Sequence, residues 1–212
     1  MPRLTERDLL CIKWIAEQGV VRLDTVSLFL SHIGYEVDAR SLRHLSSRWE
    51  EMGLVEKEQI LANSPSILWS TRAAVKLAEL PTNKKEKFGR PSFATLHHDL
   101  AVSRVRIEYE IHGAKWTCER VLRNLVNDDF LPDGLAELNG TSIFVEVDRT
   151  PKDPQRLLNI MRAHVRNPKV AVVDYWTTNE LHGFIQKYCG QVNSEIGREV
   201  LRTFLLPKEV NL

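Results

Sequence analysis

The sequence predicts an α/β (α+β) protein in two parts, a small helical unit with a β-hairpin and then an α/β unit around a mixed sheet. Three observations predict it. The 212 residues are 43% hydrophobic and 27% charged, proportions that support a folded core. A polar, basic stretch bounded by prolines, from Pro81 to Pro91, interrupts the chain. Helical periodicity dominates before that stretch, and helices alternate with apolar strands after it. The expected organisation is one unit at 1–80, a linker at 81–91 and a second unit at 92–212.

The formal net charge of +1 carries no nucleic-acid signal, so such a signal has to come from local clustering of charge. Cys11, Cys118 and Cys189 are far apart and lie in no CxxC or Cys/His spacing, which argues against a structural zinc site and for reduced thiols. The opening Met1-Pro2-Arg3-Leu4-Thr5 does not read as a signal peptide, and no apolar run reaches the roughly 20 residues of a membrane span. The expectation is a cytoplasmic protein without membrane association.

In the first part, Thr5 reads as the N-cap of a helix over 6–18, with Leu9, Leu10, Ile12, Ile15 and Ala16 at helical spacing and Gly19 ending it. A second helix fits 23–31, with Val26, Leu28, Phe29 and Leu30 turned inward. Asp38 caps a third, running to about Met52. Segments 54–61 and 67–71 flank Ala62-Asn63-Ser64-Pro65-Ser66 as strand, turn and strand, and Thr71 caps a closing helix to Leu80. Three helices, a hairpin and another helix make the order of a winged helix-turn-helix.

Projected at about 100° per residue, the third helix puts Leu42, Leu45, Trp49 and Met52 on one stripe, its core face. Arg40, Arg43, His44 and Ser47 share the opposite face. Two guanidiniums, an imidazole and a hydroxyl suit base edges and phosphates in a major groove; the alternative is a solvated polar face. Lys57 in the hairpin adds a candidate backbone contact. Lys84 and Lys85, with Lys87 and Arg90, make the linker either a solvated spacer or a phosphate-contacting arm.

The second part predicts a helix over 92–109, a strand around 116–122, and a hairpin of 131–138 with 141–147. A helix over 154–165, a strand over 170–176, a helix from Thr178 to about Tyr188 and a last helix from Ser194 follow. Asn139-Gly140 is a strong two-residue turn signal, because both positions need positive φ. Such a turn pairs Leu138 with Thr141, and counting outward puts Asp133 opposite Glu146, with Cβ atoms about 4.5–5.5 Å apart. Asp148 points to the same face. Opposed like charges destabilise a sheet unless a cation or proton compensates, so the three carboxylates form a candidate hard-oxygen site for Mg²⁺ or Mn²⁺. The alternative is that both strands end early and the carboxylates splay into water.

Pro132-Asp133-Gly134 followed by Phe144-Val145-Glu146-Val147-Asp148-Arg149-Thr150 resembles the Pro-Asp…(Asp/Glu)-x-Lys motif of restriction-endonuclease-like nucleases. More narrowly, His98-Asp99-Leu100-Ala101-Val102-Ser103, the Pro-Asp-Gly triplet and Glu146 to Thr150, behind a winged helix, resemble the replication-relaxation family of plasmids and conjugative elements. The resemblance runs from the first helix to about Val165. It implies a restriction-endonuclease-like mixed-sheet domain, double-stranded DNA as partner, and a role in replication, mobilisation or regulation for a plasmid, phage or conjugative element. It also implies catalytic and metal-holding roles for Asp133, Glu146 and Asp148, in a metal-dependent nuclease or nickase.

The chain departs from the motif at one position: Asp148 stands where the nuclease lysine belongs. Either Asp148 is a further metal ligand, or the domain has kept the shape and lost catalysis. Arg149, Arg156 and Arg162 are the cations at hand, and arginine is a poor proton acceptor. Glu108 and Glu110 are lesser candidate ligands, and His97 and His98 read as capping or core histidines, His98 alone matching the family motif. A homodimer on a symmetric site, replication or transfer proteins as partners, and a protein-interaction module are the remaining expectations.

Overall fold

The computed structural model describes residues 3–60, 62, 64–82, 88–125 and 130–207. The chain is mixed α/β, with eight helices and two sheets among the described residues. It divides into two compact units between Ile107 and Glu108, inside a helix and beyond the expected 81–91 linker. No described helix is long and apolar enough to cross a membrane. Lys84 and Lys85 lie outside the described residues.

In the first unit α1 (Glu6–Gln18) starts at Thr5, whose hydroxyl accepts the Asp8 amide while the Asp8 side chain reaches back to the Thr5 amide, a reciprocal cap. Its buried face is Asp8, Cys11, Ile12, Trp14, Ile15 and Ala16, whereas Leu9 and Leu10 are exposed, against expectation. The inward stripe is centred on Cys11 and Ile15, roughly 120–140° away from Leu10 and Leu9. β1 (Val20–Arg22) precedes α2 (Leu23–His32) and α3 (Ala39–Glu51), which Asp38 caps through the amides of Arg40 and Ser41. β2 (Val55–Glu58) and β3 (Ile67–Ser70) form the hairpin, and α4 (Arg72–Leu77) follows the Thr71 cap. β1, too short to read from periodicity, pairs antiparallel with β3 and completes a sheet in the order β1-β3-β2. Leu42, Leu45 and Trp49 of α3 join the core of α1 and α2.

α5 (Phe93–Ile111) leads to the second unit: β4 (Lys115–Cys118), α6 (Glu119–Leu125), β5 (Gly134–Leu138), β6 (Thr141–Asp148), α7 (Pro154–Arg166), β7 (Val172–Thr177), α8 (Asn179–Ile196) and β8 (Leu201–Leu205). The sheet order is β4-β5-β6-β7-β8, antiparallel from β4 to β6 and parallel from β6 to β8. Phe144, Val173, Tyr175 and Leu201 on one sheet face form a core with Leu157 and Met161 of α7 and Ile185 and Cys189 of α8.

Two expectations fail here. The strand expected over 116–122 stops at Cys118 and turns into α6, where Arg123 pairs with Glu119 one turn back. The last helix expected from Ser194 is instead the end of α8, and the last element among the described residues is a strand. α8 passes through Gly190 because Cys189 and Val192 are buried against the sheet, a gain that outweighs the roughly 1 kcal/mol cost of a helical glycine. Asn193 then directs the chain into β8, its side-chain oxygen accepting the amides of Val200 and Leu201 at 3.0 and 2.9 Å.

Candidate functional site

The hairpin holds the expected register. Asn139 (φ 50°) and Gly140 (φ 76°) make the turn, Leu138 pairs with Thr141, and the ladder runs outward to Gly134 opposite Val145. It ends one pair short of Asp133 and Glu146. Asp133 stays tied to β6 nevertheless, because its Oδ2 accepts the Val147 amide at 2.7 Å. Asp133 and Glu146 line one cleft of about 500 Å³, so the two carboxylates do not splay apart. The glycine between them and the sheet has its own reason: an added Cβ at Gly134 would lie 1.9 Å from the Trp116 ring.

Glu146 is 6% exposed and Asp148 2% exposed. Two residues that sequence reasoning did not single out meet them. Lys152, in the loop before α7, places its Nζ 2.5 Å from Asp148 Oδ1 and 3.8 Å from Glu146 Oε2. His164, buried on α7, sits with Nε2 at 2.7 Å from Glu146 Oε1 and packs edge-on to Phe144. The cation absent two residues after Glu146 is therefore supplied six residues after it, where the chain doubles back. An i,i+4 relation of Asp148 to Lys152 was the available signal, but it is informative only once the loop is known.

Burial raises the Glu146 pKa, with Asp133 adding to the rise, while the His164 hydrogen bond and Lys152 oppose it; the net shift is upward. Burial alone would lower the Lys152 pKa, but Glu146, Asp148 and Asp133 outweigh it and hold the ammonium charged. Tyr175, paired in register with Glu146, is fully buried. Burial and then the charges of Glu146 and Asp148 push its pKa well up, so the phenol stays neutral; its hydroxyl has no hydrogen-bond partner among the described residues.

Asp133, Glu146 and Asp148, expected together as metal ligands, are not gathered as one such group among the described residues. Asp148 is held by Lys152, and no group of three His, Cys, Asp or Glu side chains among the described residues is arranged to hold an ion. Asp133 and Glu146 remain on the cleft. Two hard carboxylates with the rest of the shell from water and phosphate is an ordinary arrangement for Mg²⁺.

In the first unit Arg40, Arg43 and His44 of α3 are exposed, and their side chains have no hydrogen-bond or ion-pair partner among the described residues. Ser47 and Lys57 are engaged with each other at 2.6 Å, and Lys57 also lies 3.4 Å from Glu50. The pair ties β2 to α3. Asp8, which sequence reasoning passed over, is wholly buried and accepts from Trp49 Nε1 at 3.0 Å and from Arg48, so α1 sets the orientation of α3. Burial raises its pKa, but Thr5, Trp49 and Arg48 outweigh burial and hold it below the usual aspartate value.

No protein family, curated protein or solved structure matches the chain.

Proposed function

We propose that this chain is a DNA-binding protein of the replication-relaxation type, in which a winged helix binds duplex DNA and a nuclease-like domain hydrolyses phosphodiesters with Mg²⁺ or Mn²⁺. The observation that carries the reading is Lys152, an ammonium held beside Glu146 and Asp148 at the cleft that Asp133 and Glu146 line. It restores the composition of the Pro-Asp…Glu-x-Lys constellation without restoring its spacing. The order α1, α2, α3 and the β2–β3 hairpin supports the winged-helix half, with Arg40, Arg43 and His44 free to meet a polyanion.

In this reading Asp133 and Glu146 would hold the divalent ion, and the chemistry supplied with it would be Lewis-acid activation of phosphate and water. His164 keeps Glu146 in position by its hydrogen bond. Lys152 remains charged, so its part is to stabilise the negative charge that develops on the reacting phosphate, and Asp148 holds the ammonium there. The same scheme suits cleavage or nicking during replication or mobilisation of a genetic element.

The test is cleavage of supercoiled and linear plasmid by the wild type with Mg²⁺ and with Mn²⁺, beside Glu146→Ala and Lys152→Ala. The expected result is metal-dependent cutting that falls at least about a hundredfold in each variant, with duplex binding retained. Binding without cutting under either metal would withdraw the nuclease half and leave a DNA-binding protein.

A further inference from the structure

The cleft has a cation that the scheme above does not use. Arg123 of α6 is paired with Glu119, and Lys152 with Glu146 and Asp148. Arg156, on the first turn of α7, lines the same cleft, is exposed, and its side chain has no hydrogen-bond or ion-pair partner among the described residues. A guanidinium fork matches two phosphate oxygens.

The remaining lining is apolar: Phe130, Leu131 and Ile160. An open guanidinium and an aromatic ring on one cleft complement the phosphate and the flat base of one nucleotide. About 500 Å³ is room for a ligand of small-molecule size, not for a duplex. A base within a duplex also has both faces covered by its neighbours, so an apolar wall reaches a base only in a single strand or an unstacked end.

Resting on the nuclease reading for the cleft's role, we propose that the cleft takes one nucleotide unit of a single strand, Arg156 holding a phosphate adjacent to the reacting one and Phe130 with Ile160 seating its base. The substrate class is thereby single-stranded DNA, or a frayed or melted end, delivered to a protein whose other unit grips duplex.

The test measures binding of fluorescent tetrathymidylate to the full chain in Ca²⁺ buffer, by anisotropy. The expected result is an affinity about tenfold weaker for Arg156→Ala, partly restored in Arg156→Lys, and weaker for Phe130→Ala. A tetramer lacking its bases should bind the wild type as weakly as tetrathymidylate binds Phe130→Ala. Equal affinity of wild type and Arg156→Ala, or of the tetramers with and without bases, overturns the inference. If Glu146→Ala abolishes plasmid cleavage while Arg156→Ala leaves tetramer binding untouched, this inference fails and the nuclease reading stands. If tetramer binding depends on Arg156 but no metal supports cleavage, catalysis fails and the single-strand site stands.

Discussion

On α3 the guanidiniums of Arg40 and Arg43 stand exposed with no acidic partner among the described residues, whereas in the second unit the Lys152 ammonium is enclosed by the carboxylates of Asp148 and Glu146. The first arrangement leaves positive charge available to a distant polyanion and exposes it to screening by salt. The second cancels charge locally and is shielded, so it does little for attraction and much for the stability of particular charged forms. Cations of similar formal charge are thus left open to solvent in one unit and compensated by carboxylates in the other. What decides between them is the set of neighbouring side chains, not the residue type.

The comparison can be broken by separating binding from turnover. Lys152→Ala should lower the rate of cleavage at saturating DNA by about a hundredfold or more and leave the dissociation constant unchanged. A variant that weakens binding instead would put Lys152 on the substrate surface and remove the contrast. The Arg40→Ala/Arg43→Ala variant should behave inversely. Its duplex affinity near physiological salt should fall roughly tenfold or more, and the slope of log affinity against log salt should flatten by about two. A salt slope equal to that of the wild type would show that α3 does not meet the phosphates.

Asp8 sharpens the comparison, because it holds α3 in place from the far side. Asp8→Asn should cost about 1–3 kcal/mol of stability near neutral pH, read by urea unfolding, since charge-assisted hydrogen bonds to Arg48 and Trp49 are weakened. The folded-state pKa of Asp8 lies below its ordinary 3.8, so its contribution is present above that value and is lost as pH falls through the lower folded-state value. The gap between wild type and variant should therefore shrink on acidification below about pH 4. A gap independent of pH would mean that Asp8 acts through shape alone. The smallest effect is expected at Tyr175, whose buried hydroxyl has no partner among the described residues. Tyr175→Phe should be neutral or stabilising by up to about 1 kcal/mol, because it removes a polar group that gains nothing from burial. A marked loss of stability or cleavage in that variant would give the hydroxyl a role at Glu146.

Much of the first unit was legible because its signals are local. The Thr5 and Asp38 caps, the Leu42, Leu45 and Trp49 stripe and the exposed Arg40, Arg43 and His44 follow from spacing along single helices. The exposure of Leu9 and Leu10 was not legible, since a helix with apolar residues around much of its girth does not say which of them the neighbours will cover. The closing strand β8 was missed for a related reason: Ser194 resembles a cap, but burial of Cys189 and Val192 carries α8 past it.

For the candidate site, sequence alone determined the hairpin register and hence the meeting of Asp133 with Glu146, because a two-residue turn with positive φ allows one pairing and every later position follows from it. Tertiary structure decided what compensates the carboxylates. Lys152 reaches them from a loop and His164 from a helix packed on the sheet, and neither distance is encoded in any local periodicity. Charge acts through space, whereas pattern is read along the chain, and at this cleft the two differ by the length of a loop and most of a helix.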